Sequence, residues 1–150
     1  MALYRTLLLA TDFSEASDCA VLHALELARL SGARLHVLHV ITELTDKRRR
    51  RLPAEVMEVF AREVEVHAIE DMKHFCQRHL AAASAEGIDV TTDVVIGRSE
   101  EEILRQAKDQ TVDLIILGTA GRTGIEKVLV GSTAERVIRA AEVPVLTVRV

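Results

Sequence analysis

Five short apolar runs, each separated from the next by a segment long enough to hold a helix, constrain this 150-residue chain more than any other feature. "LYRTLLLA" (3–10) reads as a buried strand, and "SEASDCAVLHALELARLSG" (14–32) as a helix, with Ala20, Ala24 and Ala28 at helical spacing and Gly32 as its stop. "ARLHVLHVI" (33–41) is a second strand, followed by the charged loop "TELTDKRRRRLP" (42–53) and one long helix over 54–87. That helix carries an apolar stripe of Met57, Phe60, Val64, Ala68, Met72, Phe75, Cys76 and Leu80 and ends at Gly87. "IDVTTDVVIG" (88–97) alternates as a third strand. Ser99 and Glu102 have the spacing of a capping box for a helix running to Lys108. "VDLIILG" (112–118) is apolar throughout, as a central parallel strand is. A helix over 133–141 and the strand "VPVLTVRV" (143–150) complete the chain.

Strict alternation of this kind implies an α/β fold: a single-domain, open, twisted, five-stranded parallel sheet, Rossmann-like, with helices on both faces. The length suits one domain, and neither a linker nor an internal repeat interrupts it. Crossovers are right-handed, so covering both faces requires the chain to reverse its direction of march. A reversal after the third strand gives the strand order 3-2-1-4-5. The carboxyl ends of strands one and four then flank the crevice in which open α/β sheets bind ligands.

Composition narrows the function. Apolar residues make up 49% of the chain but aromatics only 3%, so the core must be built from Val, Leu, Ile and Ala. A net charge of −4 argues against general nucleic-acid binding, which requires a basic face. Cys19 and Cys76 fall in no metal-binding or redox spacing and read as buried, reduced thiols. The N-terminal apolar run ends in Asp12 without a small-residue cleavage site, and no segment approaches the ~20 apolar residues of a membrane span. The expected location is the cytoplasm, with no membrane partner.

The glycine-rich segment "LGTAGRTGIEKVLVGSTAERV" (117–137) leaves the predicted carboxyl end of strand four. Glycine permits positive φ and close approach of a ligand to backbone N–H groups. Gly131-Ser132-Thr133 opens the last helix, whose free N–H groups and positive dipole end suit a phosphate. The competing reading is structural: Ser132 and Glu135 also fit a capping box, and glycines occur in ordinary turns. The segment is neither a phosphate loop with Gly-Lys-Ser/Thr nor a dinucleotide fingerprint, which would follow strand one.

The spacing Gly118-x2-Gly121-x9-Gly131-Ser132 resembles the ATP-binding signature of the universal stress protein family. The resemblance extends over the whole chain through "LLLATDFSEAS", "LHVLHV" and the terminal "VPVLTVRV". It implies ATP binding, homodimers and a role in stress survival or regulation with weak or no ATPase activity. Carried over by position, it implies that Ala10, Thr11 and Asp12 line the nucleoside side and that Val40 offers backbone groups to adenine. Gly118 and Gly121 would approach ribose and phosphates, and Gly131, Ser132 and Thr133 would hold the phosphates. Asp12 has a rival role as cap of the first helix. Arg122 is not fixed by the signature; it reads either as a phosphate partner or as a solvated loop arginine.

The remaining motifs carry less. Lys47 and Arg48 to Arg51 form a basic loop that reads as solvated, with an alternative role over a bound nucleotide. His36 and His39 are three apart in a strand, so they face opposite sides and cannot share a metal. Glu63, His67, Glu70 and His74 read as a solvated helix edge, and no resident metal site is assigned. No catalytic constellation is apparent. A phosphoacceptor Asp at the end of strand three, as in response-regulator receivers, is absent, as is the Ser-Gly-Gly loop of ATP pyrophosphatases. The last strand would be an apolar edge, and pairing with its twin predicts a homodimer. The reading is a cytoplasmic ATP-binding protein, with Mg²⁺ on the phosphates, that presents a nucleotide-dependent conformation to a protein partner. A slow ATP hydrolase or phosphotransferase, and a structural dimer without nucleotide, are the alternatives.

Overall fold

Leu7, Leu8 and Leu9 are all fully buried, which a strand achieves only when helices cover its sheet from both sides. The computed structural model describes residues 2–45, 51–119 and 131–149. The elements run β1 (Thr6–Ala10), α1 (Glu15–Ser31), β2 (Arg34–Ile41), a 3₁₀ turn (Glu43–Thr45), α2 (Ala54–His79), β3 (Val90–Ile96), α3 (Ser99–Asp109), β4 (Leu114–Gly118), α4 (Ser132–Ala140) and β5 (Val145–Val148). All pairings are parallel and the strand order is β3-β2-β1-β4-β5, the order expected.

Successive β1 residues alternate between two cores, as the two-residue period of a strand requires. Leu7 and Leu9 join Val37, Ile116 and Phe75 beneath α1 and α2. Leu8 joins Leu38, Ile115 and Val137 beneath α3 and α4. The same alternation separates the histidines of β2. His39 stacks on Phe13, whereas His36 lies on the α3 side between Thr91 and Gln106.

The hydrogen bonds around His36 fix its tautomer. The Asp93 carboxylate can only accept, so the Gln106 amide donates to it through Nε2 at 3.0 Å. Gln106 Oε1 therefore faces His36 Nε2 at 3.2 Å, and the ring proton sits on Nε2. Nδ1 then accepts the Thr91 hydroxyl at 2.7 Å. Burial, only partly offset by Gln106 and Asp93, pushes the His36 pKa below its ordinary value.

Several boundaries differ from expectation. The long helix stops at His79 rather than Gly87, because the chain turns through a series of short-range hydrogen bonds that bury Leu80, Ala83 and Ile88. Packing overrides the helical propensity of the alanine-rich tract there. Of the predicted apolar stripe, Ala68, Met72, Phe75 and Leu80 are buried, and Met57, Phe60, Val64 and Cys76 are half-buried. β1 begins at Thr6, because the preceding turn is held by the Asp113 carboxylate, which accepts the N–H groups of Arg5 and Thr6. Ser99 does not cap α3. Arg98 occupies that position without a side-chain bond, and Glu102 lies against Gly97 and pairs with Arg105. Cys19 and Cys76 are free but half-buried rather than buried, and desolvation pushes the Cys76 thiol up. The helix after β3 ends on a Schellman-type turn in which Thr111, a β-branched residue, has φ of 52°.

Candidate functional site

β1 and β4 are paired up to Leu9 and Ile116 and then diverge, β1 into α1 and β4 toward α4. A cleft of about 290 Å³ opens where they part, at the carboxyl ends of the strands. It is lined by Ala10, Thr11 and Asp12 after β1, by Val40 from β2, by Gly118 from β4, and by Gly131, Ser132 and Thr133 at the start of α4. Eight of the ten residues singled out in the sequence thus meet at one cleft. Gly121 and Arg122 lie outside the described residues, as do Lys47 and Arg48 to Arg50 of the basic loop.

The β1 side is a self-bonded turn. Ser14 caps α1, its hydroxyl oxygen accepting the Ser17 N–H at 3.3 Å. Asp12 is therefore not the cap. Its Oδ1 accepts the Ser14 N–H at 3.0 Å and the Ser17 hydroxyl at 2.6 Å, so the carboxylate that lines the cleft also braces the cap. Thr11 Oγ1 accepts the Phe13 N–H at 3.0 Å. Phe13 sits at φ of 64°, a costly conformation for a bulky side chain, and its ring is clamped between His39, 4.3 Å away, and Phe75, 5.7 Å away. His39 Nδ1 donates to the Thr11 carbonyl at 2.8 Å, which ties the floor of the turn to β2.

Gly118 and Gly131 serve purposes other than positive φ, which among the described glycines only Gly32 and Gly87 use. A Cβ on Gly118 would lie 2.6 Å from the Ala16 carbonyl oxygen, so this glycine lets α1 pack against β4. Gly131 has φ of −65° and ψ of 158° and is the N-cap of α4, where it has no side chain to offer. Its own N–H is taken by the Thr119 carbonyl at 2.8 Å. The first intrahelical bond is from the Glu135 N–H to the Gly131 carbonyl, so the N–H groups of Ser132, Thr133 and Ala134 have no intrahelical acceptor. The alternative capping box does not form, because Ser132 is the first helical residue and Glu135 pairs with Arg139. α1 thus closes its own first turn, whereas α4 opens its first turn into the cleft.

The described lining carries two carboxylates, Asp12 and Glu43, and no lysine or arginine. The attraction for an anion comes from the N-terminus of α4. Sequence reasoning missed Ser17, Thr42, Ser99, Ile103 and Thr119, which also line the cleft. The element order placed the helix starts and strand ends that carry them, but not which side chain would turn inward.

Comparison with known proteins agrees with this architecture. A model of the universal stress protein family matches residues 3–149. Universal stress protein MJ0577 of Methanocaldococcus jannaschii is 31% identical over 98% of this chain and 96% of its own length. Its solved structure superposes with a TM-score of 0.81 over 99% of this chain and 97% of that one. UspA from Lactobacillus plantarum, 25% identical, gives a TM-score of 0.84 over 97% and 98% of the two chains. A universal stress protein from Archaeoglobus fulgidus in complex with dAMP, 20% identical, shares the fold at a TM-score of 0.61 over 98% of each chain. With the family's model matched from residue 3 to residue 149 and its relatives superposing along the whole sheet, this chain belongs to the universal stress protein family.

Proposed function

We propose that this protein binds ATP in the cleft between β1 and β4 and that the bound nucleotide sets the conformation it presents to a protein partner. The observation that carries the reading is the start of α4: a glycine N-cap, N–H groups on Ser132 to Ala134 that have no intrahelical acceptor, and a cleft at the point where the strand order reverses. The dAMP complex of the Archaeoglobus fulgidus relative supports a nucleotide as ligand. In this reading Gly131, Ser132 and Thr133 hold phosphates, Val40 offers its backbone to adenine, and Ala10, Thr11 and Asp12 border the nucleoside. Gly121 completes the signature, and Gly118 keeps α1 close to the site.

Mg²⁺ would arrive on the phosphates. Among the described residues no group of three or more His, Cys, Asp or Glu side chains is placed to hold a metal unaided. The ion would offset the carboxylates of Asp12 and Glu43, which otherwise oppose a polyanion. We further propose a homodimer formed through β5, whose outer edge has no partner strand among the described residues. No helix among the described residues is long and apolar enough to cross a membrane.

The test is nucleotide release from freshly purified protein, followed by calorimetric titration with ATP and Mg²⁺. A Gly131→Val, Ser132→Ala variant is the control. Binding by the wild type that the variant loses is the expected result. Absence of binding at millimolar ATP would exclude the reading.

A further inference from the structure

The cleft has no described cation of its own, yet two arginines stand immediately outside it. A second, more polar compartment of about 460 Å³ adjoins the cleft and shares Thr42, Ser99 and Thr133 with it. Its charged lining is Arg98, at the start of α3, Arg136, one turn into α4, and the single carboxylate Glu100. We propose that this compartment is a second anion subsite, receiving phosphate beyond the third of a bound nucleotide. The preferred ligand would then be a nucleotide with a phosphate chain longer than that of ATP. The inference rests on the ATP-site reading above.

Three observations carry it. First, Thr133 and Arg136 are three residues apart on α4 and therefore neighbours on one helix face. A phosphate chain seated on the first turn of α4 and prolonged past Thr133 runs onto the Arg136 guanidinium. Second, both arginines are solvent-exposed and make long ion pairs, Arg136 through one hydrogen bond to Glu100. Arg98 is 3.6 Å from Glu101 and Arg136 is 3.3 Å from Glu100. The pairs Arg29–Glu26, Arg62–Glu58 and Arg139–Glu135 close to 2.5, 2.7 and 2.9 Å. A guanidinium fork matches a phosphate in two-point geometry, so a phosphate competes well for such loosely engaged groups. Third, the glutamates can release them. Glu100 and Glu101 lie in the first turn of α3, where the helix end favours a negative charge in the absence of any arginine. The hydroxyls of Ser99 and Thr133 on the shared wall add donors along the path.

The competing role is structural, with Arg136 tying α4 to α3 through Glu100 and Arg98 pairing with Glu101 at the start of α3, and the experiment separates the two roles. Adenosine 5′-tetraphosphate and ATP, each with Mg²⁺, are titrated into the full-length protein and into an Arg98→Gln, Arg136→Gln double variant. Glutamine retains a hydrogen-bond donor toward the glutamates and removes the charge. The wild type is expected to bind the tetraphosphate about tenfold more tightly than ATP, the effect of one added charge-assisted contact. In the variant the ratio of the two affinities should fall to about one. Equal affinities in the wild type, or a preference that survives in the variant, would overturn the subsite while leaving ATP binding intact. Failure of both nucleotides to bind the wild type would remove the ATP reading itself, and this inference with it.

Discussion

Replacing Gly118 by alanine places a methyl carbon 2.6 Å from the Ala16 carbonyl oxygen, 2.8 Å from its carbon and 3.1 Å from the Ser17 nitrogen. Ordinary contact begins at 3.4 Å, so the first turn of α1 must retreat from β4 by about 0.8 Å. The clash is with backbone, which no rotamer change relieves. Overpacking of this kind costs about 1–3 kcal/mol. For a chain of this length each kcal/mol moves the melting temperature by about 2–4 °C, so the variant should melt roughly 2–12 °C lower. The displaced turn contains Ser17, whose hydroxyl holds Asp12, so nucleotide affinity should fall with it. Gly131→Ala is the matched contrast. Among the described residues its methyl would meet the Thr119 carbonyl oxygen at 3.0 Å, a tight contact that asks a shift of a few tenths of an ångström, from a φ of −65° that alanine adopts freely. Its stability loss should stay below about 1 kcal/mol, the price of alanine at an N-cap. Differential scanning calorimetry of the two variants without ligand decides the matter. A Gly118→Ala protein melting within a degree of wild type, or a Gly131→Ala protein melting lower than it, would refute the assignment of Gly118 to helix packing.

Three further outcomes are expected. Thr111→Gly should stabilise the fold by about 0.5–1 kcal/mol in urea titration, because removing the left-handed strain at φ of 52° outweighs the entropy glycine loses on folding. Below pH about 6.5 the unfolded chain protonates His36 while the folded chain, with its depressed pKa, resists, so stability should fall as the pH drops from 7 toward 5. In His36→Gln that component of the slope should vanish, and an unchanged slope in urea midpoints would exclude His36 as its source. ATP affinity measured in EDTA should be at least tenfold weaker than in Mg²⁺, since the described lining offers two carboxylates and no arginine or lysine to the phosphates; equal affinities would show that the charge is balanced elsewhere.

The order of the elements was legible in the alternation of apolar runs and helical segments. "LIILG" has no polar face to show and must be covered on both sides, so the chain must reverse its march, and it does so after the third strand as expected. The position of the cleft was legible, since Gly118 and Gly131 line the crevice that topology predicts. What each residue does there was less so. Gly118 is set by the position of Ala16, a contact between segments about a hundred residues apart that no local pattern announces. Asp12 appeared to choose between helix cap and ligand wall, whereas Ser14 takes the cap and leaves Asp12 to brace it from the wall. The end of α2 was misplaced because its alanine-rich tail favours helix locally, and only the burial of Leu80, Ala83 and Ile88 turns the chain aside.

The unclosed first turn of α4 bears on more than recognition. A helix of nine residues that begins on glycine is short of the hydrogen bonds that hold its end against fraying. An anion seated on those N–H groups would act as the cap that the sequence omits, and would bind the native chain alone. By mass action an anion at a hundred times its dissociation constant adds about 2.7 kcal/mol to the stability of the fold. The lifetime of the folded protein against unfolding and proteolysis would then follow the concentration of the anion, so that the amount of protein present, as well as its shape, reports on the ligand pool.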